Sequence, residues 1–356
     1  MILDAHIDTP QRMLDANVDI SLRQADGHVD VPRLKAGGIT AAFFSIWVDD
    51  SYGPGTAYNR ALALIDAVGR LADTTDDVEL ATTAGDVRGA AARGHVAALM
   101  GVEGGHAIES SIEKLDALYA RGVRYMTLTW NNGNEWAGSS MDPARPGGLT
   151  AFGRQVVRRM NELGMLVDVS HVSDATFWDV LGTTTRPVIA SHSSCRALAS
   201  HPRNLTDEQL RAVAKSGGVV GINFYPVFLD DHFHAQYAEV NRRLQPQFAA
   251  IRARHPGKPG LADFEIDRLR GAHLGGLDVP NVERLLDHID HAVQVMGVDH
   301  VGLGSDFDGI SVLPQPMQDA SSLPLLVAAL RERGGARNYS DSDVRQILGE
   351  NFLRLL

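Results

Sequence analysis

Near the start of the chain, in ILDAHIDTP, a histidine and an aspartate stand two positions apart as His6 and Asp8. In a β-strand that spacing puts both side chains on one face. Ile2, Ala5 and Ile7 supply apolar neighbours, and Thr9-Pro10 ends the run. Burying an imidazole beside a carboxylate costs free energy unless the two are paired or bind a cation. Four more groups of the same chemistry close other apolar runs: Glu103 in GVEGGH, His171 in DVSH, His192 in ASHS and Asp306 in GLGSD. Each has an ordinary structural reading by itself: a satisfied core histidine, a glutamate paired with an arginine, an aspartate capping a helix. Six such residues at equivalent positions argue instead for one shared site.

Three histidines and three carboxylates are borderline-to-hard donors, suited to Zn²⁺ or a similar divalent ion. The set exceeds the three protein ligands and one water that a single catalytic zinc takes. A two-metal site is therefore expected, with two cations about 3.5–4 Å apart sharing a hydroxide. Glu103 is the natural bridge. His6 and Asp8 hold one ion, His171 and His192 the other, and Asp306 is left beside the water as general base and acid.

The elements that must position these residues follow from hydrophobic patterning. Apolar, β-branched runs at 2–8, 39–48, 96–103, 125–129, 166–171, 187–192, 218–224 and 300–306 read as strands. Amphipathic segments at 56–72, 112–121, 150–163, 174–181, 206–215, 281–297 and 340–355 read as helices. Strands apolar on both faces and alternating with helices indicate a parallel sheet, and eight such units predict a (β/α)8 TIM barrel, one domain over 1–356. Barrel active sites lie at the C-terminal ends of the strands, where the six ionisable residues fall. A doubly wound sheet is the runner-up, but TPQRML after the first strand has no glycine, and neither GVEGGHAIE nor GLGSDFDG fits a dinucleotide fingerprint. Residues 226–280 interrupt the alternation after the seventh strand, with helical periodicity over 234–255. An insertion there sits over the barrel mouth as a lid or dimer element, or is a surface excursion.

Composition narrows the function classes. The 356 residues carry 44% hydrophobic and 22% charged residues, those of an ordinary globular protein. A net charge of −11 argues against nucleic acid or an anionic membrane surface as partner. Cys195, the single cysteine, excludes an internal disulfide framework. With no signal-like start and no membrane-length apolar stretch, the expected address is the cytoplasm.

DAHIDTP, GVEGGHAIE, VDVSHVSDATFWDVL, PVIASHSSCRAL, HPRNLTD, GINFY, VGLGSDFDG and ILGENFLRLL occur in this order, and together they resemble the membrane (renal) dipeptidase family, peptidase family M19 of the amidohydrolase superfamily. The likeness runs over essentially the whole chain. It is specific, since many amidohydrolases open on His-x-His whereas this family opens on His-x-Asp. The resemblance implies a barrel with two zinc ions: His6, Asp8 and Glu103 on one, Glu103, His171 and His192 on the other. It implies Asp306 as the residue that moves the proton and Arg203 of HPRN as a substrate contact, whose guanidinium fork suits a dipeptide's terminal carboxylate. Trp130, Asn131 and Tyr225, the last residue of GINFY, are the further substrate contacts. One departure stands out: characterised animal members read LTLTH where this chain reads LTLTWNNGNEW, with Trp130 at the histidine's place. Tryptophan offers one N–H and no titratable proton, and Asn131 or Asn134 is the candidate compensating donor for an oxyanion, worth a few kcal/mol of barrier.

The expected reaction is hydrolysis of a dipeptide by metal-activated water, with the second residue L or D, and with possible homodimers as in the family. Two other readings stand beside it. One is the same metal chemistry on another small amide, a lactam or an N-acyl amino acid, redirected by Trp130 and the insertion. The other is a non-catalytic binding module, which predicts an eroded ligand set where this one is complete.

Overall fold

The computed structural model describes residues 1–145, 147–337 and 339–356. Among the described residues nine parallel strands are found: β1 (Leu3–Ile7), β2 (Ala41–Trp47), β3 (Val78–Leu80), β4 (Val96–Glu103), β5 (Val123–Thr127), β6 (Leu166–Asp168), β7 (Val188–Ser193), β8 (Val219–Ile222) and β9 (Val301–Leu303). They run β2-β1-β9-β8-β7-β6-β5-β4-β3, and a further pairing of β2 with β4 closes eight of them into a barrel. The fold is the expected (β/α)8 barrel. The short β3, which the sequence pattern did not suggest, pairs only with the start of β4, outside the ring.

The two faces of each strand serve two cores. Ala41 and Phe43 of β2 pack in one cluster with Ala97 and Leu99 of β4, Tyr125, Ile189 and Val219. The intervening Ala42, Phe44, Ala98, Met100 and Val102 join the larger cluster beneath the surrounding helices. Continuing the inward phase of β4 past Leu99 brings Gly101 and then Glu103 to the barrel axis. A Cβ on Gly101 would lie 2.1 Å from the Tyr125 ring, so glycine there makes room for the tyrosine.

In β1 and β7 the alternation breaks. Leu3 and Ala5 belong to the inner cluster but Ile7 to the outer one, and the β1–β2 register shifts between Asp4 and Ile7. The register of β7 against β8 shifts between Ala190 and Ser193. Without these shifts His6 would face the helices, opposite Ala5; the irregularity turns it inward. Buried aspartates stitch both places. Asp4 accepts the His6 N–H at 3.2 Å and the Ser305 N–H at 2.9 Å, and Asp168 accepts the N–H groups of Ser170 and Ser191.

Several strands, β6 and β9 most of all, end earlier than the apolar runs suggest. His171 and Asp306 lie three residues beyond β6 and β9, in left-handed conformations (φ 69° and 64°). No helix starts at Asp306, so it caps none. Thr9-Pro10 does more than stop β1: it opens a helix, Thr9–Asp15, with proline in its first turn. The insertion after β8 forms Pro226–Leu229, Asp231–Arg254 and Pro259–Ala272 before the helix Val282–Met296. Val240, Leu244, Phe248 and Ile251 pack there on Ala262 and Ile266. The expected single helix over 340–355 is broken into Asp341–Arg345, a wide turn Gln346–Glu350 and Asn351–Leu353. At the break Gly349 packs on Leu3, where a Cβ would lie 2.8 Å from its backbone nitrogen. That close approach lets Phe352 and Leu353 join the inner cluster.

Candidate metal centre

A cavity of 760 Å³ opens at the C-terminal ends of the strands. Asp8, Glu103, His171, His192 and Asp306 line it, His6 lies fully buried beside them, and Arg203, Trp130, Asn131 and Tyr225 form part of its walls. Of the residues singled out from the sequence, all but Asn134 thus converge on one place. The insertion lines the same cavity with Arg252, His255, Asp263, Phe264, Asp267 and Arg270.

Glu103 sits between the two sides of the donor set. Its Oε2 is 3.2 Å from His6 Nε2, and its Oε1 is 2.9 Å from His171 Nε2 and 3.7 Å from His192 Nε2. His6 Nε2 is also 3.4 Å from Asp8 Oδ2. Two groups hold their donor atoms within 4.8 Å of one another: His6, Glu103 and His192, and His6, Asp8 and Asp306.

The other ring nitrogens explain the orientation. The Tyr125 hydroxyl donates to the Ala5 carbonyl at 3.2 Å, so toward His6 Nδ1, 2.8 Å away, it accepts. Ser191 Oγ donates to Asp168 at 2.6 Å and accepts from His192 Nδ1 at 2.8 Å. His171 Nδ1 meets the Asn131 side-chain oxygen at 3.2 Å. Each ring therefore carries its hydrogen on Nδ1 and turns the Nε2 lone pair toward Glu103, the arrangement metal-ligating histidines adopt. Burial favours the neutral rings, holding His171 down at about 4 and His192 well below its ordinary range. For His6 burial also disfavours charge, but Tyr125, Asp8 and Glu103 outweigh it and draw positive charge to the ring. His6 Nε2 and Asp8 Oδ1 have no hydrogen-bond partner among the described residues. Imidazole nitrogens and carboxylate oxygens crowded at about 3 Å fit a divalent cation.

Asp306 completes the rim. Its Oδ2 accepts from Asn223 Nδ2 at 2.9 Å, and burial together with the neighbouring Asp8 pushes its carboxyl up to about 7. Arg203 is 3% exposed. Its guanidinium reaches the His192 carbonyl at 3.2 Å and lies 5.4 Å from the Phe228 ring centre, while its Nε has no partner among the described residues. Burial lowers it to about 10 against the pull of Asp306 and Glu103.

One sequence expectation needs correction. Asn134 is no free donor: its amide nitrogen bonds the Leu128 carbonyl and its oxygen accepts the N–H groups of Trp136 and Ala137. Asn131 commits its oxygen to His171, leaving only its amide hydrogens for the cavity. Trp130 packs edge-on against Trp47 with ring centres 5.0 Å apart, so packing and cavity lining coincide. Tyr225 lies against Phe228 and Tyr237. The sequence reading missed Tyr125, Asp168, Ser191, Asn223 and Trp47; Ser191 directly before His192 was the one local signal.

The whole chain, residues 1–356, matches the family model for the membrane dipeptidases (peptidase family M19). Among solved structures it is similar to the metallopeptidase dipeptidase AC of family M19, at 28% identity over 99% of this chain and 97% of that one, TM-score 0.80. It also resembles a Rhodobacter sphaeroides metallopeptidase liganded with a phosphinate mimic of the dipeptide L-Ala-D-Ala (28% identity, 99% and 97% covered, TM-score 0.79). A third relative is the probable dipeptidase PvdM of Pseudomonas aeruginosa (26% identity, 100% and 94% covered, TM-score 0.84). With a barrel whose strand ends gather a metal-binding donor set, and a match over its full length, the chain belongs to the membrane dipeptidase family and is a metal-dependent dipeptidase.

Proposed function

We propose that this enzyme is a two-zinc dipeptidase acting on L-Xaa-L-Xaa and L-Xaa-D-Xaa dipeptides. His6, Asp8 and Glu103 would hold one ion, and Glu103, His171 and His192 the other. The observation that carries the substrate assignment is Arg203: a buried guanidinium with no carboxylate within ion-pair distance among the described residues, beside a metal-binding donor set. Such a group calls for an anion from outside, and the planar fork matches a terminal carboxylate. Including a D second residue is supported by the dipeptide mimic bound to the Rhodobacter sphaeroides relative.

Bound zinc would supply an acidified water as nucleophile and polarise the scissile carbonyl. Asp306 accepts the water's proton on one carboxylate oxygen while Asn223 holds the other, then returns it to the departing amine nitrogen. Arg203 fixes the carboxylate end, so that only a substrate two residues long brings its amide to Asp306. Trp47 and Trp130 form part of the cavity wall. With a tryptophan at the family histidine's place, the Asn131 amide hydrogens are the donor left for a developing oxyanion. The inserted residues 226–280 serve as a lid on this single domain.

The test is a dipeptide library, L,L and L,D sets in parallel, on metal-analysed protein. About two zincs per chain with turnover is the expected result. Two zincs with no turnover on any dipeptide would overturn the substrate assignment and point to another small amide.

A further inference from the structure

We propose that Asp308 is a positioning residue for hydrolysis: clasped by Thr9, Arg12 and the His28 backbone, it holds the turn that aims Asp306. This rests on the reading of Asp306 as the proton-transfer group.

Asp306 and Asp308 both adopt left-handed backbone conformations (φ 64° and 65°), on either side of the fully buried Phe307. Two such residues without glycine persist only where the surroundings over-determine them. Main-chain bonds supply part of that restraint: Asp306 N–H to the His6 carbonyl at 3.0 Å, Asp8 N–H to the Phe307 carbonyl at 2.8 Å, and Gly309 N–H to the Asp306 carbonyl at 3.0 Å. The Asp308 side chain, 1% exposed, supplies the rest. One oxygen accepts from the Thr9 hydroxyl at 2.8 Å and Arg12 at 3.1 Å. The other accepts the His28 N–H at 2.6 Å, while the Asp308 N–H donates to His28 Nδ1 at 3.0 Å.

Arg12 is itself immobilised. It donates to the Val29 and Asp26 carbonyls at 3.2 and 2.9 Å, and its guanidinium lies 5.2 Å from the ring centre of Phe264, on the insertion. The turn fits the site with no slack: a Cβ on Gly309 would lie 2.2 Å from Asp8 Oδ2 and 2.5 Å from Asp306 Oδ1. Any slide of residues 306–309 therefore changes where the Asp306 carboxylate stands relative to Asp8. Both oxygens of Asp308 face donors, so Asp308→Asn is isosteric yet sets an NH₂ against an N–H on one side. It loosens the clasp without opening a cavity.

The experiment compares zinc-loaded wild type, Asp308→Asn and Asp306→Asn for metal content, kcat and KM on one dipeptide, and amide hydrogen exchange of residues 304–309. For Asp308→Asn the expected result is a fall in kcat of about 10²-fold, the scale of a small misplacement of a reacting group. KM should stay within about twofold, metal content should be unchanged, and exchange at 307–309 should be faster. An unchanged kcat alongside an inactive Asp306→Asn overturns the positioning role alone, as does a kcat loss that merely tracks lost metal. Full turnover by Asp306→Asn instead overturns the reading on which it rests. If Asp308→Asn fails to fold, Thr9→Val removes a single donor and is expected to lower kcat less, again at constant KM; an unchanged kcat there overturns the proposal.

Discussion

His171 Nε2 and His192 Nε2 stand 2.9 Å apart, and the other nitrogen of each ring already donates its hydrogen, to Asn131 and to Ser191. Two lone pairs at that distance repel unless positive charge lies between or beside them, and Glu103 Oε1 on the same spot sharpens the need. The folded chain should therefore bind zinc more tightly than the unfolded chain. Titrating chelator-treated protein with zinc is expected to raise its melting temperature, with about 4 kcal/mol of added stability at a thousandfold excess over Kd. A melting temperature that ignores zinc would remove the metal from this site.

The Asp168–Ser191–His192 chain makes a second prediction. Ser191→Ala leaves every metal-binding atom in place but deprives His192 Nδ1–H of its acceptor and Asp168 of one donor. Loss of such a partner commonly weakens metal binding about 10–100-fold, and that is the expected result from competition against a chelator of known affinity. Tyr125→Phe should do the same through His6. Affinities equal to wild type in both variants would reduce these contacts to packing.

Arg203 is tested by changing the substrate as well as the residue. The wild type should discriminate strongly against a dipeptide amide, which lacks the terminal carboxylate. Arg203→Met, similar in length and apolar, should lose most of that discrimination. A charge-assisted hydrogen bond is worth roughly 1.5–3 kcal/mol, or about 10–100-fold in kcat/KM for the free acid. The comparison that decides is the ratio between acid and amide; a ratio unchanged by the substitution would assign Arg203 a structural role in holding the His192 carbonyl.

What the sequence makes legible here is what repeats locally. Runs such as VAALMGVE and the residues at their ends show a barrel and its donor set, since alternation of strand and helix and placement at C-terminal strand ends are properties of neighbouring residues. The aim of those donors is not local. His6 faces the axis because β1 slips register around Asp4, whose partner Ser305 lies 301 positions away. His171 and Asp306 reach the cavity through left-handed backbone that no glycine announces. Tyr125 reads as one more strand residue until Gly101 is seen to clear space for it beneath His6. Asn134 reads as a free donor because nothing in LTLTWNNGNEW reveals that its amide closes its own loop.

Away from the site, His288 ties stability to pH. It is fully buried in the helix Val282–Met296. Its Nδ1 accepts the Cys195 N–H at 3.1 Å and its Nε2–H donates to the Leu229 carbonyl at 3.0 Å. This arrangement needs the neutral ring, and burial lowers its pKa from 6.5 to about 4. Above pH 6.5 neither the folded nor the unfolded chain binds a proton here, and the contribution is constant. Between 6.5 and about 4 the unfolded chain takes up a proton that the folded chain refuses, so stability falls as pH falls. The loss from this residue is about 2 kcal/mol by pH 5, each pKa unit being about 1.4 kcal/mol. In His288→Gln, where the amide still accepts and donates, denaturant unfolding should show lower stability at pH 7.5 but a shallower decline to pH 5. Taking the difference between the two proteins cancels the contributions of His171, His192 and His201, whose pKa values burial also lowers. Parallel declines in the two proteins would free His288 from any part in the acid sensitivity.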